Sequence, residues 1–145
     1  MQKIRNATYH DAPFIKGLLA ALGYQTNLSL LIDQLERLFG SENDQAYVCD
    51  INKEVVGFVT VHYLPQLAFD GGTAIISYLS VDESIKGIDI AAALEKHVTD
   101  QARMKRCETI QVHCMDWRTP AHQFYLKHGY QEYPKYFTKR LVQGE

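Results

Sequence analysis

The sequence has 145 residues, enough for one folded domain, whereas two domains of this total length would each be near the lower size limit for a self-sufficient core. Hydrophobic residues make up 46% of the chain and charged residues 22%, which excludes an intrinsically disordered protein. With 15 Lys and Arg against 17 Asp and Glu, the net charge of −2 gives no attraction to nucleic acid or to an anionic membrane. We therefore predict one domain, residues 1–145, that binds neither.

The chain also lacks the features of a membrane or exported protein. No apolar run approaches the roughly 18 residues that span a bilayer, and the first residues lack the apolar stretch of a signal peptide. The three cysteines, Cys49, Cys107 and Cys114, show no CxxC spacing. We interpret them as small buried thiols rather than as disulfide partners or zinc ligands, and we predict a cytoplasmic protein without a metal site.

A strand and two helices are predicted at the beginning of the chain. The residues from Gln2 to Thr8 form a short edge-type strand. An early proline, Pro13, marks the start of a helix whose apolar residues recur at helical spacing and which ends at Gly23. A second helix, with its apolar residues on one face, ends at Gly40.

From residue 45 the apolar period changes to two, which is typical of strands. We predict strands over residues 46–51 and 55–61, joined by a tight turn at Asn52-Lys53. A longer strand follows over residues 73–81, and a helix begins after Asp89.

The remaining elements complete an α/β pattern. Residues 109–114 form another strand, Thr119-Pro120 begins a helix that Gly129 ends, and two short strands lie around Tyr130 and over residues 136–138. The predicted order is βααβββαβαββ, which indicates a mixed, mostly antiparallel sheet with helices on both faces. It lacks the regular strand and helix alternation of a Rossmann fold.

Two segments of the chain are similar to motifs of a known family. The strand of residues 75–81 and the loop and helix that follow it resemble motif A of the GNAT N-acetyltransferases, which is a strand, a loop of pattern R/Q-x-x-G-x-G/A and a helix. Gly87 matches this pattern, whereas Ser84 and Asp89 stand at its Arg/Gln and final Gly/Ala positions. Residues 117–130 are similar to the family pattern R/N-x-x-A-x-x-F-Y-x-x-x-G-F/Y. The resemblance implies a single-domain GNAT-like fold with the predicted element order.

The resemblance implies that acetyl-CoA binds as a co-substrate. Its place would be a V-shaped opening between the strand that ends at Val81 and the strand that ends at Cys114. A helix N-terminus offers unpaired backbone N–H groups to the pyrophosphate, and a glycine allows its close approach. The cofactor-binding residues that the resemblance implies are Leu79, Ser80, Val81, Ser84, Ile85, Lys86, Gly87, Ile88, Asp89, Ile90 and Arg118.

The resemblance also implies direct acetyl transfer to an amine within a ternary complex. Tyr125 occupies the place of the family tyrosine that protonates the departing thiolate, and a backbone N–H near Leu79 would stabilise the oxyanion. Many relatives carry an acidic base on the motif A strand, where this chain has Ser77 and Tyr78. The base is therefore left open between His113 and a relaying water molecule.

Alternative interpretations remain at this stage. The fold could serve as a non-catalytic module that binds acyl-CoA or a partner protein, which Ser84 and Asp89 favour, whereas Tyr125 favours the enzyme. Asp89 could be only a helix N-cap and Tyr125 only a core tyrosine.

The acceptor that the resemblance implies is an amine of a small molecule or peptide, bound by the first two helices and the loop of residues 64–72. The sequence leaves a homodimer open.

Overall fold

The computed structural model describes residues 2–85, 87–113, 119–133 and 136–142, which belong to two compact units, Met1–His113 and Cys114–Glu145. The prediction of one domain over residues 1–145 is not tested by this division and stays a prediction. The elements of the first unit are β1 (Gln2–Asn6), a 3-10 helix (Tyr9–Asp11), α1 (Ala12–Ala21), α2 (Leu28–Phe39), β2 (Asp44–Ile51), β3 (Glu54–Pro65), β4 (Gly72–Val81), α3 (Ile90–Met104) and β5 (Cys107–Val112). The second unit contains α4 (Thr119–Lys127).

The strands of the first unit form one five-stranded sheet in the order β1-β2-β3-β4-β5. Neighbouring strands from β1 to β4 are antiparallel, and β5 pairs with β4 in parallel. The predicted mixed and mostly antiparallel sheet, with β1 at its edge, is therefore confirmed. The turn between β2 and β3 lies at Asn52 and Lys53, whose φ angles of 52° and 70° suit a tight hairpin.

Helices cover both faces of this sheet, as predicted. One apolar cluster lies between the sheet and α3, and the other lies between the sheet and the pair α1 and α2. We call the two sides of the sheet the α3 face and the α1/α2 face. Adjacent residues of β2 alternate between the clusters, because Tyr47 belongs to the first and Val48 to the second. None of the described helices is long and apolar enough to cross a membrane.

Gly57 on β3 determines how closely α3 approaches the sheet. A Cβ atom at this position would lie 2.9 Å from Cγ2 of Ile90 and 3.1 Å from Cδ1 of Leu94. Real Cβ atoms rarely come this close to other heavy atoms, so the first turn of α3 packs in the space that the missing side chain leaves. The sheet therefore fixes the position of the N-terminus of α3.

An ion cluster connects β1, the 3-10 helix and β2. Arg5 donates through Nη1 and Nη2 to the two carboxylate oxygens of Asp11, at 2.8 and 2.9 Å, and through Nε to Asp50 at 3.2 Å. The backbone N–H of Thr8 also donates to Asp11, at 2.7 Å. Burial by itself would raise the pKa of Asp11, but the hydrogen bonds from Arg5 and Thr8 outweigh burial and hold that pKa below its ordinary value.

The two cysteines that the structure describes differ in burial. Cys49 on β2 is fully buried, and Cys107 at the start of β5 is half-buried. Burial raises the pKa of both thiols, so they stay protonated at neutral pH. Cys114 lies outside the described residues. Both described cysteines are packing residues of the sheet and pack in or against the cluster on its α3 face.

The last two predicted strands are not formed in the described part of the second unit, so this prediction was wrong. Residues 130–133 and 136–142 follow α4 without regular secondary structure. Most of their large apolar side chains are exposed, including Phe137 and Leu141 at 92% and 87%. The alternation of residue types around Tyr136 therefore buries no face, and a strand without a buried face lacks the main source of its stability.

Candidate active site

A β-bulge interrupts the pairing of β3 and β4. Thr60 is opposite Tyr78 and Val61 is opposite Ile76, so Ser77 is an additional residue on β4. The side chain of Ile76 lies in the cluster on the α3 face, whereas those of Ser77 and Tyr78 both lie on the α1/α2 face. The bulge thus places two consecutive side chains on the same side of the sheet.

The bulge also marks the point where β4 and β5 separate. Their last pair is Ile76 opposite Val112, whereas β4 continues as far as Val81. The predicted opening between these strands begins at this point; its second predicted boundary, Cys114, lies outside the described residues. Among the described residues, no strand pairs with β4 on that side beyond Ile76, and backbone groups without a strand partner are where a ligand can bind.

The side chains of the three residues of β4 that were predicted to bind the cofactor point away from that backbone edge. Leu79 and Val81 pack against the cluster on the α3 face. Ser80 is buried and donates its hydroxyl hydrogen bond to the carbonyl oxygen of Leu18 on α1, at 2.9 Å. Any contact of Ser80 with a ligand therefore uses its backbone, which agrees with the backbone role that the resemblance implies.

The loop between β4 and α3 has its own hydrogen bonds. Ser84 donates to the carboxylate of Asp82 through its backbone N–H at 3.0 Å and its hydroxyl at 2.7 Å. These bonds lower the pKa of Asp82, because they stabilise its charged form. Ile85 packs against the cluster on the α3 face. Lys86 lies outside the described residues.

Gly87 gives the loop a conformation that other residues rarely adopt. Its φ angle is +79°, in the left-handed region where glycine carries no Cβ penalty. A Cβ atom at this position would have no heavy atom within 4 Å, so the backbone is open on this side. An open backbone immediately before a helix N-terminus is what a phosphate group requires for close approach.

The N-terminus of α3 is capped by Asp89, as one of the two sequence interpretations predicted. Its Oδ1 accepts a hydrogen bond from the backbone N–H of Ala92 at 3.0 Å. Ile88 is 41% exposed, whereas Ile90 is buried against the sheet beside Gly57. The other first-turn N–H groups of an α-helix have no partner within the helix, so this end of α3 attracts anions, and the charge of Asp89 opposes that attraction.

We expect Asp89→Gly to tighten acetyl-CoA binding by about tenfold, because it removes a carboxylate beside the predicted position of the pyrophosphate. The same change should lower the free energy of unfolding of the ligand-free protein by about 1 kcal/mol, since the cap is lost and glycine adds chain entropy. Isothermal titration calorimetry measures the first effect and urea denaturation the second.

The matched control is Asp89→Asn, since asparagine caps helices as well as aspartate but carries no charge. This variant should gain affinity without losing stability. Unchanged or weaker affinity in both variants would show that Asp89 only caps the helix and that the pyrophosphate does not bind there.

In the second unit, α4 carries Tyr125, the predicted general acid. Its side chain is buried, and its ring lies edge-on to those of Phe124 and Tyr130, with ring centroids 5.2 Å apart in both pairs. The backbone N–H of Tyr130 donates to the carbonyl oxygen of Tyr125 at 3.0 Å, which closes the end of α4 beside Gly129, whose φ angle is +94°. Arg118 lies outside the described residues.

The structure reveals a polar cluster that the sequence analysis missed. Nδ1 of His62 lies 2.7 Å from Oδ1 of Asp44, its Nε2 lies 2.9 Å from Oγ of Ser77, and that Oγ is 2.5 Å from Oγ1 of Thr60. We call these four residues the His62 relay. The sequence does contain a signal for this cluster, because Thr60 and His62 are polar residues at alternating positions of a mostly apolar strand. His113, the base considered from the sequence, is exposed just after β5.

The comparison with family models determines the family. The model of the acetyltransferase (GNAT) family matches residues 13–130. The chain belongs to the GNAT acetyltransferase family. No curated protein matches this GNAT protein in sequence. Among its described residues, no group of three or more His, Cys, Asp and Glu side chains could hold a metal ion.

Solved structures share the fold of this GNAT protein. A transcriptional regulator from Bacillus halodurans C-125 superposes with a TM-score of 0.89 at 19% identity, covering 97% of this chain and 100% of that one. A ribosomal-protein-alanine N-acetyltransferase from Brucella melitensis biovar Abortus 2308 gives 0.78 at 17% identity, covering 97% and 99%. An aminoglycoside acetyltransferase from an uncultured soil metagenomic sample gives 0.77 at 18%, covering 98% and 99%. At these identities the likeness establishes the fold alone.

Proposed function

We propose that this GNAT protein transfers an acetyl group from acetyl-CoA to the amine of a small molecule or peptide. The observation that carries the proposal is the separation of β4 from β5 at Ser77, followed by a loop that leads into the N-terminus of α3. This arrangement offers backbone N–H groups along a cleft and at a helix N-terminus, and these groups suit the amides and phosphates of coenzyme A.

The pantetheine arm binds to the backbone of Leu79, Ser80 and Val81 beyond the last β5 pair. The pyrophosphate binds at the loop from Ser84 to Ile90, where Gly87 opens the backbone. The packing of Ile90 and Leu94 against Gly57 supports this assignment, because it fixes the helix N-terminus relative to the strand. Arg118 binds the substrate or the phosphates through its positive charge.

The amine nitrogen attacks the thioester carbonyl directly, so no nucleophilic serine or cysteine is needed. A backbone N–H near Leu79 donates a hydrogen bond to the carbonyl oxygen as it becomes negative, and Tyr125 supplies a proton to the departing sulfur. Catalysis then depends mainly on placing the amine and the thioester together.

The first experiment measures binding. At 100 times its dissociation constant, acetyl-CoA should raise the free energy of unfolding by about 2.7 kcal/mol, and calorimetry should show one site per chain. CoA release is then measured with a panel of amines that includes aminoglycosides and peptides with N-terminal alanine, the acceptors that the names of two structural relatives suggest. The absence of any stabilisation at millimolar acetyl-CoA would refute the proposal.

The same experiment tests the non-catalytic alternative. A binding module would be stabilised by acetyl-CoA but would release no CoA with any amine. Two observations favour this alternative. One structural relative is named as a transcriptional regulator, and Asp89 places a negative charge at the N-terminus of α3. CoA release that requires the amine would exclude it.

A further inference from the structure

The His62 relay has the connectivity of a proton-transfer unit. Asp44 on β2, His62 on β3 and Ser77 on β4 come from three adjacent strands, and the imidazole lies between the carboxylate and the hydroxyl. All three side chains lie on the α1/α2 face. The bulge at Ser77 is what brings its hydroxyl to the imidazole, since the side chain of Ile76 just before it points to the α3 face.

The hydrogen-bond partners determine which proton each atom carries. A carboxylate only accepts, so Nδ1 of His62 must donate to Asp44. In the neutral imidazole, Nε2 then has a free electron pair and accepts the hydroxyl proton of Ser77. Thr60 in turn donates to Oγ of Ser77. The hydroxyl of Ser77 is therefore oriented toward a base that can take its proton.

The hydroxyl of Ser77 is the member of the relay that a substrate can reach. Ser77 is exposed, whereas Thr60 is buried and the side chains of His62 and Asp44 are 31% and 32% exposed. Ser77 is two residues before Leu79, whose backbone N–H is proposed to bind the thioester oxygen. The exposed rings of Tyr78 and Tyr24, with centroids 5.5 Å apart, lie beside it on the same face.

We propose that the His62 relay is the general base of this enzyme, with Oγ of Ser77 as the atom that contacts the acceptor amine. As the C–N bond forms, an N–H proton of the amine moves to Oγ of Ser77, and the hydroxyl proton of Ser77 moves to Nε2 of His62. The C–S bond breaks with its electron pair on sulfur, which takes a proton from Tyr125. The imidazolium then loses its proton to solvent and the phenolate of Tyr125 takes a proton from solvent, so the net products are the amide and CoA. This inference rests on the proposed function.

The charges around His62 support this assignment. The hydrogen bond from His62, together with one from Ser41, lowers the pKa of Asp44, so that Asp44 stays charged and stabilises an imidazolium. Tyr78 on β4 and Tyr24, whose ring packs edge-on against it, also flank the relay on this face.

The test compares His62→Gln, Ser77→Ala and Asp44→Asn with the wild type in steady-state acetyl transfer. His62→Gln and Ser77→Ala should each lower kcat by about 10²- to 10⁴-fold, the usual range for a lost general base. Asp44→Asn should also lower kcat, because it removes the charge that orients the imidazole. Stabilisation by acetyl-CoA should remain unchanged in all three, since the relay side chains lie on the α1/α2 face, whereas the proposed coenzyme contacts use the backbone of β4 beyond Ser77.

The pH profile separates proton transfer from a structural role. On the same amine, the ratio of the wild-type rate to the His62→Gln rate should fall as the pH decreases, because a protonated imidazole cannot accept a proton. The ionisation of the amine itself cancels in this ratio. Exogenous imidazole should partly restore the activity of His62→Ala. His10→Gln, a change at an exposed histidine in the 3-10 helix, is the matched control and should not alter the rate.

The outcomes distinguish this inference from the proposed function. A wild type that transfers acetyl groups, with His62→Gln retaining its rate and pH profile, would overturn the relay and leave the acetyltransferase in place. A Ser77→Ala variant with full activity would equally overturn the relay as drawn. A wild type that binds acetyl-CoA but releases no CoA with any amine would refute the proposed function first, and the relay with it.

Discussion

Replacing Tyr125 by phenylalanine should slow acetyl transfer by about 10²- to 10⁴-fold while leaving acetyl-CoA affinity nearly unchanged. The hydroxyl is the only group removed, and it is the proposed proton donor to sulfur. The ring itself stays between Phe124 and Tyr130 in edge-on contacts, so its position on α4 should be preserved. The rate is measured under conditions where chemistry is rate-limiting, and the affinity by calorimetry.

The matched control is Tyr133→Phe. Tyr133 is another tyrosine of the second unit, 80% exposed, whose hydroxyl donates to Oε1 of Gln131 at 3.2 Å. Its replacement removes the same atom and should leave the rate unchanged. If Tyr125→Phe retains the wild-type turnover, Tyr125 is a packing residue and the proton reaches sulfur from another source.

Replacing Asp11 by asparagine should lower the free energy of unfolding at pH 7 by about 1.5–3 kcal/mol, the range for hydrogen bonds to charged groups. Asp11 is 3% exposed and accepts two hydrogen bonds from Arg5 and another from the backbone N–H of Thr8. Asparagine has nearly the same shape but only one accepting oxygen and no charge. Urea denaturation followed by circular dichroism measures the difference.

The pH dependence of this difference follows from the lowered pKa of Asp11. A carboxylate whose pKa is lower in the folded state stabilises fully above its unfolded pKa of about 3.9, and this contribution is lost as the pH falls through the folded value. The gap between wild type and Asp11→Asn should therefore close below about pH 4. Asp100→Asn, in an exposed pair with Lys96, should show almost no effect at any pH. A gap that does not narrow at all as the pH falls from 5 to 2 would mean that the loss comes from packing rather than charge.

Local chemistry made most of the fold predictable from the sequence. Glycines mark the ends of the first two helices. Gly23, whose backbone is in the left-handed region, lies just after α1, and Gly40 directly follows α2. The hairpin at Asn52-Lys53 and the cap at Asp89 also depend on residues close in sequence. The apolar period of two from residue 45 correctly predicted strands, because alternate residues of each strand are buried on the two faces of the sheet.

The His62 relay was not predictable in the same way, because its members are distant in sequence. His62 is 18 residues from Asp44 and 15 from Ser77, so the contacts depend on strand register. Register in turn depends on the bulge, and alternation of residue types does not reveal one additional residue within an apolar strand. The strands expected near Tyr130 and Tyr136 failed for a related reason, since tyrosine-rich segments favour strands only where a face is buried.

The bulge at Ser77 makes this one position dispensable for the packing of β4. Ser77 and Tyr78 lie on the same side of the sheet, so a chain without Ser77 would still alternate between the faces from Ile76 to Tyr78 to Leu79. Leu79 would stay against the cluster on the α3 face, and Ser80 would keep the carbonyl oxygen of Leu18. Deleting Leu79 instead would exchange the faces of Ser80 and Val81, because no additional residue absorbs the change. A one-residue deletion at the bulge should therefore remove the hydroxyl of Ser77 and leave the two apolar clusters in place.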